Sequence, residues 1–102
     1  MISSTLLIKS IHTALSDTPS TVSNANRVLL QNTGAAAEVI IKSDDTYQSG
    51  SAAVQGSVLL LQGHELIIKK DRLFTLEVGS GITTVFATSV GIEGWKLLNN
   101  IV

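Results

Sequence analysis

The chain has 102 residues, 44% of them hydrophobic and 15% charged, with a net charge of −1. That length suits one domain with one core, and the absence of cysteine excludes a disulfide framework and Cys-ligated zinc. The seven cations are scattered, aromatics make up 4%, and no apolar run nears the ~20 residues of a spanning helix, so neither nucleic acid nor a membrane is an expected partner.

In chain order, residues 1–9 lack the basic start and long apolar stretch of a signal peptide, which predicts a soluble protein made in the cytoplasm. Residues 6–15 fit a helix on spacing, but the β-branched, Ser and Thr content from residue 5 to 13 predicts a strand. Asp17, Pro19 and the serines around them predict a turn, since Asp and Ser bond local backbone and Pro19 pushes Thr18 to an extended conformation. Thr21, Val22 and Ser23 read as a short extended piece. Residues 27–31 and 38–43 are the clearest strands, joined as a hairpin through Asn32-Thr33-Gly34-Ala35-Ala36. Residues 44–56 read as a long polar loop with one weak strand near Ala53-Val54.

Residues 57–62 and 64–70 are strands meeting at Gly63, a bulge or tight corner, and Lys69-Lys70-Asp71-Arg72 ends the second with solvated charge. Residues 73–78 alternate, which turns Phe74, Leu76 and Val78 toward the core. Gly79-Ser80-Gly81 is a turn, and residues 82–90 form a further strand. The segment 92–102 carries Trp95, Leu97, Leu98, Ile101 and Val102 and fits a strand, a short helix or a docking arm. Seven to eight short strands at this turn spacing predict an all-β fold, a single antiparallel β-sandwich of jelly-roll or Ig-like type. The expected inward positions are Val28, Leu30, Val39, Ile41, Leu59, Leu61, Ile67, Phe74, Leu76 and Val85. Apolar runs such as Val39-Ile40-Ile41 face both ways, so some outward residues need cover from a partner or from the tail.

Chemistry-bearing constellations are missing from the pattern. His12 and His64 are far apart and match no zinc spacing, so His64 reads as a half-exposed turn residue. Asp44-Asp45 would need further ligands to hold calcium. The serines lack a Gly-x-Ser-x-Gly elbow, and the Gly-Ser segments lack the lysine of a phosphate loop. Eight dispersed acids select no catalytic pair. The chain is therefore expected to be no enzyme and to need no cofactor or metal. Lys69-Lys70 reads as an edge guard against strand pairing between molecules. Trp95 reads as an interface anchor or as a plug at one end of the sandwich.

The segments Arg27-Val28-Leu29-Leu30-Gln31-Asn32-Thr33-Gly34-Ala35-Ala36, Gly63-His64-Glu65-Leu66-Ile67-Ile68-Lys69-Lys70-Asp71 and Val85-Phe86-Ala87-Thr88-Ser89-Val90-Gly91 together resemble small β-sandwich virion proteins of tailed bacteriophages. The resemblance spans about residues 27–91 and rests on turns and strands, with His64 inserted relative to the family pattern and nothing to match the tail. It implies a capsid decoration or cement protein that binds the major capsid protein, or a neck or tail accessory protein. It also implies a small cyclic oligomer, with a homotrimer expected at three-fold shell positions. The final location implied is the virion. The expected joining segments are the terminal arms 1–10 and 92–102, through Ile2, Leu6, Leu7, Ile8, Trp95, Leu97, Leu98, Ile101 and Val102. A carbohydrate-binding module is the alternative; it would need aromatic platforms, and both phenylalanines read as buried.

Overall fold

The computed structural model describes residues 6–43 and 53–92. The chain runs through β1 (Leu6–Ile8), β2 (Thr13–Ala14), β3 (Arg27–Asn32), β4 (Ala37–Lys42), β5 (Val54–Leu60), β6 (Glu65–Lys69), β7 (Thr75–Glu77) and β8 (Val85–Ile92), with no helix among the described residues. All pairings are antiparallel, and they form two sheets. In the first, β3 lies between β6 and β8, and the far edge of β8 takes β1 and β2. In the second, β4 lies between β5 and β7. The all-β sandwich expected from the turn spacing is the fold observed.

The core follows from alternation. Val28 and Leu30 of β3 point inward with Val85 and Ala87 of β8, and meet Val39 of β4, Leu60 of β5 and Leu76 of β7. Leu15, Val22 and Val78 close the ends of the same cluster. Val28, Leu30, Val39, Leu76 and Val85 are the inward positions that the sequence predicts correctly, and Ile41 packs against the core from its margin. Three others are corrected. Leu59 is 62% exposed, and Leu61 and Ile67 also face solvent, while Leu60 is buried and Val58 and Ile68 pack on the core. Each error is a slip of one residue inside a run apolar on both faces, where a period of two has nothing to register against. Phe74 is half-buried rather than central.

The expected hairpin between residues 27–31 and 38–43 does not form. β3 and β4 belong to opposite sheets, so the chain crosses the sandwich between them. Asn32 makes that crossing. It is 2% exposed, and its Nδ2 donates to the carbonyls of Ala35 at 2.9 Å and Leu60 at 2.8 Å. Its Oδ1 accepts from the Gly34 N–H and the Thr84 hydroxyl, both at 3.0 Å. Gly34 is required for a different reason. A Cβ built there would lie 2.5 Å from Cγ2 and 2.8 Å from Cβ of Thr84, a side chain held by its bond to Asn32. Gly34→Ala is expected to cost about 1–3 kcal/mol. Thr84→Ser keeps the hydroxyl and removes the nearest clashing carbon, so it should recover part of that loss; urea unfolding of the single and double variants checks this.

Gly63, at φ +76°, turns the corner from β5 in the second sheet to β6 in the first, so the tight corner expected there is observed. The short extended piece expected at residues 21–23 is instead a left-handed turn, with φ of 52°, 58° and 54° at Val22, Ser23 and Asn24. Left-handed backbone costs roughly 1–2 kcal/mol per non-glycine residue. Hydroxyls offset it: Ser20 Oγ accepts from the Val22 N–H and Thr21 Oγ1 from the Asn24 N–H, each at 3.1 Å. Burial of Val22 and Ala25 adds to the compensation. The N-terminal strand is also broken. Ile8 faces Val90 and Thr13 faces Ala87, so four residues, 9–12, stand opposite two and bulge away from β8.

Candidate functional site

The outer face of the first sheet is built in rows that the strand register fixes. One row is Phe86, Gln31 and Glu65; the next is Thr88, Leu29 and Ile67; the third pairs Arg27 with Lys69, while Val90, past the last β3–β8 pair, faces Ile8. Inward residues alternate with these, so the face is the reverse side of the core. It is apolar in its middle and partly covered: Thr88 and Val90 are buried, and Leu6 of β1 lines one hollow with Leu29, Glu65, Leu66 and Ile67. Ile8 is 58% and Ile67 40% exposed, and Leu29 and Phe86 are half-buried. The outer face of the second sheet is different in kind: Lys42 and Glu77 form an ion pair there at 2.9 Å.

Charge divides the apolar face. Arg27 stands directly opposite Lys69, a like-charge pairing that destabilises a sheet, and neither has an ion-pair partner among the described residues. At the other end the Gln31 amide donates to Glu65 at 3.2 Å. His12 meets the Phe86 ring edge-on, with centroids 5.6 Å apart. Gln31, Thr33, His12 and Phe86 line a shallow hollow of about 260 Å³. Both phenylalanines are half-buried rather than enclosed as expected.

Lys70 contradicts the expectation of solvated charge at the end of β6. It is only 7% exposed. Its Nζ donates to the carbonyls of Ala25 at 2.6 Å, Asp71 at 3.2 Å and Arg72 at 3.3 Å. Burial lowers its pKa from 10.5 to about 8, with the Asp71 charge opposing that shift. The side chain staples the end of the left-handed turn to the loop after β6. Its role is to hold the rim beside the Arg27–Lys69 pair. No sequence signal marks a buried lysine, so Lys70 reads like its exposed neighbour Lys69.

Of the predicted interface residues, Leu6, Leu7 and Ile8 form β1, the edge strand on β8. Leu7 and Ile8 are exposed and Leu6 is half-buried. Ile2, Trp95, Leu97, Leu98, Ile101 and Val102 lie outside the described residues, as do Asp44, Asp45 and Tyr47. His64 is an exposed turn residue, separated from His12 by β8 and β3. The described residues contain no cluster of three or more groups able to hold a metal ion, and no helix long and apolar enough to cross a membrane. Leu29, Ile67 and the cation pair were missed as a surface, although β-strand parity at Arg27, Leu29 and Gln31 carries the signal. No family model, curated protein or solved structure matches the chain.

Proposed function

We propose that this chain is a non-enzymatic structural protein of a virion, of the kind that decorates or cements a bacteriophage head by binding the major capsid protein. The observation that carries the assembly role is the aliphatic surface that the first sheet presents to solvent at Leu7, Ile8, Leu66 and Ile67. Contiguous apolar surface on a small domain marks a site of protein association, and rigid strands hold it flat. The choice of a phage head rests on the sequence likeness of residues 27–36, 63–71 and 85–91 to small virion sandwiches, of which the hairpin expected at Asn32-Thr33-Gly34 is not formed here. The working form is a homo-oligomer, carried into the virion after synthesis in the host cytoplasm, with residues 1–10 and 92–102 adding apolar contacts.

An antibody to the chain, applied to a density-gradient separation of lysate from its source, tests the reading. The chain should travel with DNA-filled particles and resist washing in high salt. Recovery only among free proteins would refute it. A carbohydrate-binding role is the second reading, favoured by the outward Phe86 ring with His12, Gln31 and Thr33 around it. A glycan-array signal abolished by Phe86→Ala would put that reading first.

A further inference from the structure

We infer that the end of the first sheet where β3 begins and β6 stops is a docking site for an acidic polypeptide segment, one that carries aliphatic side chains among its carboxylates. The inference rests on the reading of the chain as an assembly protein and names the chemistry of its partner. The cations are scattered along the sequence, but the fold gathers five of the seven at this end. Arg27 stands directly opposite Lys69. Lys69, Lys70 and Arg72 line a hollow of about 400 Å³ together with Asn26. Asn26 is also a wall of a second hollow, of about 230 Å³, which Lys9 lines. Of the other two cations, Lys42 is paired with Glu77 and Lys96 lies outside the described residues.

Little within the chain answers this charge. Asp71 is the one acid among the described residues that line the two hollows, and its Oδ1 already accepts from the Leu73 N–H at 3.1 Å. Lys9, Arg27, Lys69 and Arg72 have no ion-pair partner among the described residues. Glu65 sits at the far end of β6, and Glu38 and Glu77 belong to the second sheet. A chain of net charge −1 therefore presents a concentrated positive field at one end, which draws in and orients an anionic partner.

The aliphatics among these cations select a polypeptide over a nucleic acid. Ile8 precedes Lys9, Leu73 follows Arg72, and Ile67 lies two residues before Lys69 on the same face; all three are exposed. No aromatic ring lines either hollow among the described residues, whereas nucleic-acid single strands are held by stacking on such rings. A phosphate backbone offers isoleucine and leucine nothing to bury against. An acidic segment with aliphatic side chains answers both features, its carboxylates meeting the cations and its apolar groups meeting Ile8, Ile67 and Leu73. Apolar contact beside charged contact is the make-up of a protein interface.

Fluorescence anisotropy tests the inference, with the full chain titrated to about 1 mM into short labelled peptides at neutral pH. A peptide of equal glutamate and leucine should bind at about 50 mM salt, and its affinity should fall about tenfold by about 500 mM. Exchanging its leucines for serine should weaken binding about fivefold or more. Lys69→Gln and Arg72→Gln should each weaken binding about threefold, and the double variant about tenfold, with far-ultraviolet CD unchanged. Gln55→Glu, exposed on β5 of the second sheet, shifts the net charge as far as either single neutralisation and should bind like the wild type. Four results would each overturn the inference: no binding at the highest concentration, a serine peptide bound as well as the leucine one, a loss in Gln55→Glu equal to that in Lys69→Gln, or tighter binding of DNA of the same charge. The purified chain alone decides this, whereas the virion role is decided by particle fractionation, so the two fail separately.

Discussion

Asn32→Ala is expected to destabilise the fold by about 3 kcal/mol, measured by urea unfolding at neutral pH. Asn32 is a buried side chain with four hydrogen bonds, and all four run to groups that hold the inter-sheet crossing. A neutral hydrogen bond contributes only about 1 kcal/mol net, but a buried partner left unpaired costs about 1–3 kcal/mol. The Leu60 carbonyl is such a partner, since its bond to Asn32 is enclosed. Asn32→Asp keeps the shape and the acceptors and removes both donors. It also places a carboxylate against two carbonyls, so it should be at least as damaging as alanine. A loss below about 1 kcal/mol in either variant would mean that the crossing is held by the core and not by this side chain.

Lys70→Met is expected to lower stability by about 1–2 kcal/mol at pH 7. The buried Ala25 carbonyl loses its donor, while relief of the buried ammonium offsets part of that loss. The carbonyls of Asp71 and Arg72 belong to an exposed loop and are reached by water. The pH dependence is the sharper test. Below pH 8 the amine is protonated in both folded and unfolded chains, and the lowered pKa is a constant penalty. Between pH 8 and 10.5 the unfolded chain holds a proton that the folded chain has released, so stability rises with pH. Above 10.5 both forms are neutral and the slope vanishes. The full rise is at most about 3 kcal/mol. The neutral amine keeps two N–H donors, enough for the 2.6 Å bond to Ala25 to survive. Subtracting the Lys70→Met profile removes the contributions of other groups, and the difference between the two proteins should widen steadily across that window. A difference that stays constant, or narrows, would mean that burial does not govern this lysine.

The face proposed for assembly was half legible in the sequence. Alternation along Arg27-Val28-Leu29-Leu30-Gln31-Asn32 fixes which residues of β3 share a side, and Leu29 is conspicuous there as an aliphatic on the side opposite the core. Nothing local reveals that Ile67 and Lys69 stand beside Leu29 and Arg27, because those pairs join residues about 40 positions apart and depend on strand register. The cation pair is invisible until β6 is set against β3.

By itself the sequence determined the fold class. β-branched bursts, turn residues between them, and too few contiguous helix formers leave two packed sheets as the way to bury this much aliphatic surface. It also determined Val28, Leu30, Val39, Leu76 and Val85 as core and Gly63 as a corner. Tertiary structure decided which strands are neighbours. Val58-Leu59-Leu60-Leu61 and Leu66-Ile67-Ile68 satisfy either face, so only packing against the opposite sheet chose Leu60 and Ile68 for the inside. Backbone pairing likewise sent β3 and β4 to opposite sheets, against the hairpin that their proximity suggests. Lys70 was drawn inward because three carbonyls converge where its amine ends, and the left-handed turn at Val22 persists because the core holds that side chain. Local propensity opposes both features, and the surrounding fold over-determines them.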